Sequence, residues 1–298
     1  MERRYLKSEW GFYLVVYLSI ALAIVVTLYP ILFVVSASFS DPSQVALGKV
    51  FLLPKGFQTL SYQMVFKNSQ IWRAYANTVL YTVSGSLIQV ACTMIAAFVF
   101  SRRNLKGSRV CMMLILFTMY FSGGLIPTYY TIRSYGMLNT TWAIIIPGAI
   151  SGSNLILART FIRTSIPGAL DEAAVIDGCS DIRYFLSVIL PLSTPIIGVL
   201  SLYAVVGFWN SYMGALVYLK DRSRYPLQLI LREILVNSQF SAEDLAAMDD
   251  PNTMMAYQDL AESMKYALIV VSSVPMLILY PFLQKFFVKG VMIGSVKE

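Results

Sequence analysis

The sequence predicts an all-α membrane protein with six transmembrane helices. Three observations carry that expectation. Of its 298 residues, 57% are hydrophobic and 13% are charged, and the charged share is about half that of an ordinary soluble domain. A helix crossing about 30 Å of hydrocarbon needs roughly 20 consecutive residues free of unpaired charge. Such runs recur at Gly11–Ser40, Ala74–Ser101, Val110–Ile132, Ser134–Ala158, Tyr184–Leu219 and Tyr266–Gln284. Finally, the longest interval between them, Lys220 to Lys265, is too short for a separate soluble catalytic domain.

Residues 1–10 form a basic start with Arg3, Arg4 and Lys7, and the first span is expected near 11–39. Ser36-Ala37-Ser38 resembles a signal-peptide cleavage site, but the apolar run exceeds the about 7–15 residues of such a peptide, so retention is expected. Further spans are expected near 75–101, 110–132 and 138–160. The glycines and prolines of "FSGGLIP" (Phe121–Pro127) and "IIIPGAISGSN" (Ile144–Asn154) loosen the third and fourth spans. Such breaks are tolerated where neighbours or a cavity satisfy the freed backbone groups, and both gating and plain packing fit them. The Tyr184–Leu219 run is too long for one span and is broken by Pro191 and Pro195, which places the fifth near 195–219. A sixth follows near 266–286. Residues 11–290 thus form one transmembrane domain, with 291–298 as a tail.

Charge sets the expected orientation. With the N-terminus inside, the inner segments carry 13 basic and 7 acidic residues and the outer ones 10 and 9, as the positive-inside rule requires. Arg102, Arg103, Lys106 and Arg109 are the clearest inner marker. Both termini and the loop 163–192 are then cytoplasmic, the loop 220–265 is extracellular, and the protein belongs in the plasma membrane. The net charge of +7 records topology and calls for no nucleic acid. Cys92, Cys111 and Cys179 build no disulfide framework.

Several chemistries are excluded. The chain has no histidine, which removes His-based triads, the HExxH zinc site and the commonest general base. It has no GxxxxGK[ST] nucleotide cradle. No Asp, Glu, Lys or Arg lies in the core of a proposed span, where ion-coupled carriers usually keep one. A membrane-embedded enzyme would need convergent acids, bases or metal ligands there. A non-catalytic protein with no cofactor or metal of its own is expected, taking any energy through an exposed loop.

One loop stands out. In "DEAAVIDGCSDIRYFLSVILPL", Asp171–Leu192, Ser165 and Pro167 open a predicted helix that runs through Ala169, Leu170, Ala173, Ala174 and Ile176 to a left-handed stop at Gly178. Ser180 opens a second helix, where Ile182, Phe185, Leu186 and Ile189 share an apolar face while Asp181 and Arg183 point elsewhere. Pro191 ends it. Periodicity alone leaves two readings, a connector on the membrane surface and an elbow that docks a partner.

The spacing of Glu172, Ala173, Ala174, Asp177, Gly178, Val188, Leu190 and Pro191 resembles the EAA loop of ABC importer permeases, with Val188 where that family usually has isoleucine. "YPILFVVSASFSDP", "FWNSY" and "YPFLQKFFVKGVMIGSVKE" extend the resemblance along the chain to carbohydrate-importer permeases of the MalG type, LplC/YtcP subgroup. The resemblance implies a six-span permease with a cytoplasmic EAA coupling helix, paired with a homologous second permease. It further implies two ATPase subunits that bind ATP and Mg, and an extracellular solute-binding protein that delivers an oligosaccharide. The coupling residues it implies are Glu172, Ala173, Ala174, Asp177, Gly178, Ile182, Phe185 and Pro191, and the C-terminal tail is placed within reach of the ATPases. A permease for a non-sugar solute would share the loop, whereas a channel or scaffold would leave the Glu172–Pro191 pattern without a use.

Trp209, Asn210 and Tyr212 are candidates for the substrate path, with Tyr129, Tyr130 and Asn154 behind them. Aromatic faces stack on sugar C–H faces, and amides and phenols meet hydroxyls. The same residue types also stitch membrane helices together. Outside, Leu227, Ile230, Leu231, Ile234 and Leu235 share one helical face ahead of an acidic stretch to Glu262. That piece either rests on the membrane or other spans, or meets the binding protein.

Overall fold

A computed structural model describes residues 2–102, 104–234 and 263–281. Every regular element among them is helical. The chain divides into two compact units, 1–69 with 231–273 and 70–230 with 274–298.

In the first unit, α1 (Glu2–Ser38) exposes apolar side chains along its length, from Trp10 to Val35, a surface suited to lipid. The helix ends in a knot of buried serines. Ser36 Oγ donates to the Leu52 carbonyl at 2.6 Å, and Ser40 Oγ donates to the Ser36 carbonyl at 2.7 Å while accepting from the Lys55 amide at 3.0 Å. Ser38 shares a 2.8 Å hydrogen bond with the Tyr62 hydroxyl. Burial pushes the Tyr62 phenol up and the Ser38 bond opposes it. Buried hydroxyls need such partners, and Ser36, Ser38 and Ser40 find them in the turn that follows α1. Asp41 caps α2 (Pro42–Ala46) through the Ser43 amide at 2.9 Å. In α3 (Leu60–Lys67), Ser61 hydrogen-bonds Ser263, the first residue of the last described helix, Ser263–Pro281.

The second unit is built on α4 (Ser69–Ser101), α8 (Gly152–Ser165) and α12 (Thr194–Trp209). Met94, Ala97 and Phe98 of α4 pack with Leu155, Ala158 and Ile162 of α8 and with Ile196 and Leu200 of α12. The other elements are α5 (Ser108–Tyr120), α6 (Leu125–Ser134), α7 (Trp142–Ile145) with a 3-10 turn Ile146–Gly148, α9 (Ala169–Ile176) and α10 (Asp181–Tyr184). A π turn, Phe185–Ile189, leads to α11 (Leu190–Leu192), and α13 (Met213–Tyr218) follows α12. Residues 227–234 form α14, with Leu227 and Leu229 fully buried.

The N-terminal half of α4 grips the chain after α13. Asn77 Nδ2 donates to the carbonyls of Ser223 and Tyr225 at 2.8 and 3.1 Å, and the Tyr81 hydroxyl donates to the Arg224 carbonyl at 2.8 Å. Thr78 Oγ1 accepts from the Leu227 amide at 2.7 Å. From the other side, Asn139 Oδ1 accepts from the amides of Lys220 and Asp221 at 3.1 and 3.0 Å.

Among the described residues, Trp10–Ser38, Ser69–Ser101 and Ser263–Pro281 are each long and apolar enough to cross a membrane. Three bent pairs qualify only when taken together. The stretch read as one span near 110–132 is two helices, α5 and α6, bent by 117°. The stretch near 138–160 bends by 47° between Trp142–Gly148 and Gly152–Ser165. Near 195–219 the helix stops at Trp209, and an 80° bend separates Asp181–Leu192 from Thr194–Trp209. Glycine and proline account for these breaks, since each bend lies beside Pro127, Pro147 or Pro195, where an absent N–H interrupts the hydrogen-bond ladder. Leu235, the acidic stretch to Glu262, residues 282–286 of the sixth span and the tail 291–298 lie outside the described residues.

Candidate functional site

The loop 163–192 is an elbow. Ser165 is the last residue of α8 and not a cap; α9 starts behind Gly168 without a side-chain cap. Asp171 and Glu172 sit in its first turn, where negative charge complements the helix dipole. At the other end the Cys179 amide donates to the Ala174 carbonyl at 2.9 Å and the Gly178 amide to the Val175 carbonyl at 3.1 Å. That is the Schellman pattern, with Gly178 in the left-handed conformation it requires, φ 66°. Ser180 then caps α10 by accepting from the Arg183 amide at 3.4 Å.

The second arm departs from a simple helix. The π turn at Phe185–Ile189 widens the helix ahead of Pro191, which has no N–H to donate and whose ring would crowd the preceding turn. Helical structure therefore continues to Leu192 rather than stopping at Pro191. The expected apolar face is split. Tyr184 and Ile189 are buried, with Phe185 and Val188 packed beside them, whereas Ile182 and Leu186 are exposed. Across the glycine, Val175 and Ile176 are exposed too, and the four reach 72% (Val175), 85% (Ile176), 74% (Ile182) and 56% (Leu186). Glu172, Ala173, Asp177, Gly178 and Pro191 lie on exposed surface, while Ala174 and Phe185 pack against the core.

What holds the elbow's inner side is Arg102, directly after α4. Its two terminal nitrogens donate to Asp171 and to Asp181, and its guanidinium carbon lies 4.8 Å from the Phe98 ring centroid and 5.1 Å from that of Tyr184. Burial pushes the Tyr184 phenol up, Asp171 adds to the rise, and Arg102 opposes it. Asp181 thus has a partner in Arg102 while its side chain stays largely exposed, off the apolar face. Arg102 reads in the sequence as a topology marker only, since nothing local ties it to acids 69 and 79 residues away.

A second feature is a cavity of about 390 Å³ lined by Gln89, Tyr203, Phe208, Ser211 and Tyr218 among others. One wall is formed by Ala204 and Phe208 of α12 with Ser211 just beyond its end. The Phe208 ring lies against two glycines, so that a Cβ at Gly85 would stand 2.6 Å from it and one at Gly148 3.0 Å. The residues named from sequence are not part of this lining. Trp209 is buried and meets Tyr75 edge-on at 5.8 Å. Asn210 Nδ2 donates to the Val206 carbonyl at 3.0 Å, and Tyr212 is exposed. Tyr129 stacks on Tyr218 at 6.5 Å and meets Tyr130 edge-on, while Asn154 lies half-buried on α8. Trp209, Asn210 and Tyr212 stand next to lining residues in the chain, but α12 turns Phe208 to the cavity and Ser211 follows it there beyond the helix end.

The fold defines a multi-pass helical membrane protein, and its elbow carries an exposed apolar edge. No family model matches the chain. Over 90% of its length, and 92% of the relative's, it is 38% identical to the polygalacturonan/rhamnogalacturonan transport system permease protein YtcP of Bacillus subtilis strain 168. It is also 38% identical to protein LplC of the same organism, over 91% and 90% of the two chains. A crystal structure of a bacterial ABC transporter involved in the import of the acidic polysaccharide alginate matches with TM-score 0.84 and 31% identity, covering 94% of this chain and 98% of that one. The chain belongs to the permease family of carbohydrate ABC importers.

Proposed function

We propose that this chain is one transmembrane half of an ATP-driven importer of oligosaccharides, with both termini and the elbow in the cytoplasm. It pairs with a homologous permease and receives the saccharide from an extracellular solute-binding protein. Two separate ATPase subunits hold ATP and Mg, and the chain itself is non-catalytic. The observation that carries this reading is the exposed edge Val175, Ile176, Ile182 and Leu186 on an elbow anchored from behind. Shifting a transporter from 1:99 to 99:1 between two states takes about 5.5 kcal/mol. An exposed ion pair from Glu172 supplies about 0–1 kcal/mol, whereas each apolar side chain buried in one state and not in the other supplies about 1.5–3 kcal/mol. Docking is therefore apolar, and Glu172, Ala173 and Asp177 orient it.

The saccharide passes the cavity between α4 and α12, where Gln89, Tyr203, Ser211 and Tyr218 offer hydrogen bonds and Phe208 a ring face. Asn210 and Tyr212 continue the path, Trp209 supports it from behind, and Tyr129, Tyr130 and Asn154 flank it. Purification through this chain followed by cysteine cross-linking tests the docking. Ile176→Cys and Ile182→Cys should cross-link to a co-purifying ATPase; absence of such products from an assembled complex sinks the proposal. ATP hydrolysis screened with oligogalacturonates, alginate oligosaccharides and maltodextrins then identifies the cargo.

A further inference from the structure

The Arg102 side chain touches three elements at once. Asp171 lies in the first turn of α9, Asp181 opens α10, and Phe98 belongs to α4. The two acids stand on opposite sides of Gly178, so a single guanidinium spans the elbow's hinge. The geometry demands arginine, because two separate nitrogens serve two carboxylates while the flat face stacks on rings, and an ammonium cannot do both. The end of α4 is itself pinned, since Arg159 Nε of α8 donates to the Phe100 carbonyl at 2.8 Å. Room for movement lies alongside, in a cleft of about 530 Å³ bordered by Asn104, Arg163, Pro167 and Glu172.

We infer that Arg102 is a positioning residue for transport, a two-armed clamp that fixes the angle between α9 and α10 and makes both follow the end of α4. The inference rests on the docking reading above. Without the clamp, a push on the exposed edge would fold the elbow at Gly178 instead of moving α4 and the cavity beside it.

The test uses the assembled importer, with Cys92, Cys111 and Cys179 changed to serine and Ser211→Cys as a reporter in the cavity. The rate of N-ethylmaleimide labelling is compared without nucleotide and with ATP plus vanadate. Arg102→Met should reduce the nucleotide-dependent change about tenfold, as expected from loss of two ion pairs and two ring contacts, and Arg102→Lys should fall between. Asp171→Asn combined with Asp181→Asn should reproduce the loss, and adding Arg102→Met to that pair should cost little more. A wild-type response in Arg102→Met overturns the clamp, and so does full additivity with the two Asn changes. If Arg102→Met fails to assemble, the Asn pair decides, and its wild-type response overturns the inference. No nucleotide-dependent change in the parent protein would instead indict the docking reading.

Discussion

Gly178 carries the elbow's shape through its backbone alone. At φ 66° it lies where an L-residue pays about 1–2 kcal/mol, yet a Cβ there would meet no atom within 4 Å. Gly178→Ala should therefore strain the hinge without a clash, and Gly178→Asn should suffer less because asparagine tolerates that conformation. Uptake in proteoliposomes should rank parent, Asn, then Ala; equal uptake for all three would show that the hinge angle is immaterial. This glycine was legible in the sequence because a left-handed helix stop has few other chemical solutions. Arg102 was not, because its partners are fixed by tertiary proximity and leave no local spacing to read.

Among the elements, α4 and α12 meet through an unusual fit. The Phe208 ring occupies space that a side chain at Gly85 would claim. Gly85→Ala should push the ring into the cavity and lower the melting temperature of the purified protein by a few degrees, in line with about 1–3 kcal/mol for overpacking. Phe208→Ala should also destabilise, but the double variant should be better than the sum of the two; strict additivity would mean that the contact is not what matters. The positions of the long helices were legible from charge-free runs, since excluding charge from lipid is a constraint on composition. The bends were legible only as weak points, because proline and glycine mark where a ladder can open and packing sets the angle. The π turn escaped, since a one-residue widening leaves the apolar pattern intact and changes only which members face inward.

At the scale of the whole protein, the apolar runs and the exposed flank of α1 describe a chain suited to lipid, and the elbow leaves one apolar edge exposed. The expected orientation yields a direct check. Ile182→Cys should be modified by a membrane-impermeant thiol reagent only from the cytoplasmic side, and Lys220→Cys only from the outside, in cells lacking the native cysteines. The opposite pattern would reverse the topology and remove the elbow from any ATPase. The clasp formed by Asn77, Tyr81, Thr78 and Asn139 hydrogen-bonds main-chain atoms between Lys220 and Leu227. A grip of that kind is blind to side-chain identity. Its exposed positions Lys220, Asp221, Arg222 and Arg224 can consequently be re-dressed with new charges or rings, while buried Leu227 and the trace of the chain beneath them stay put.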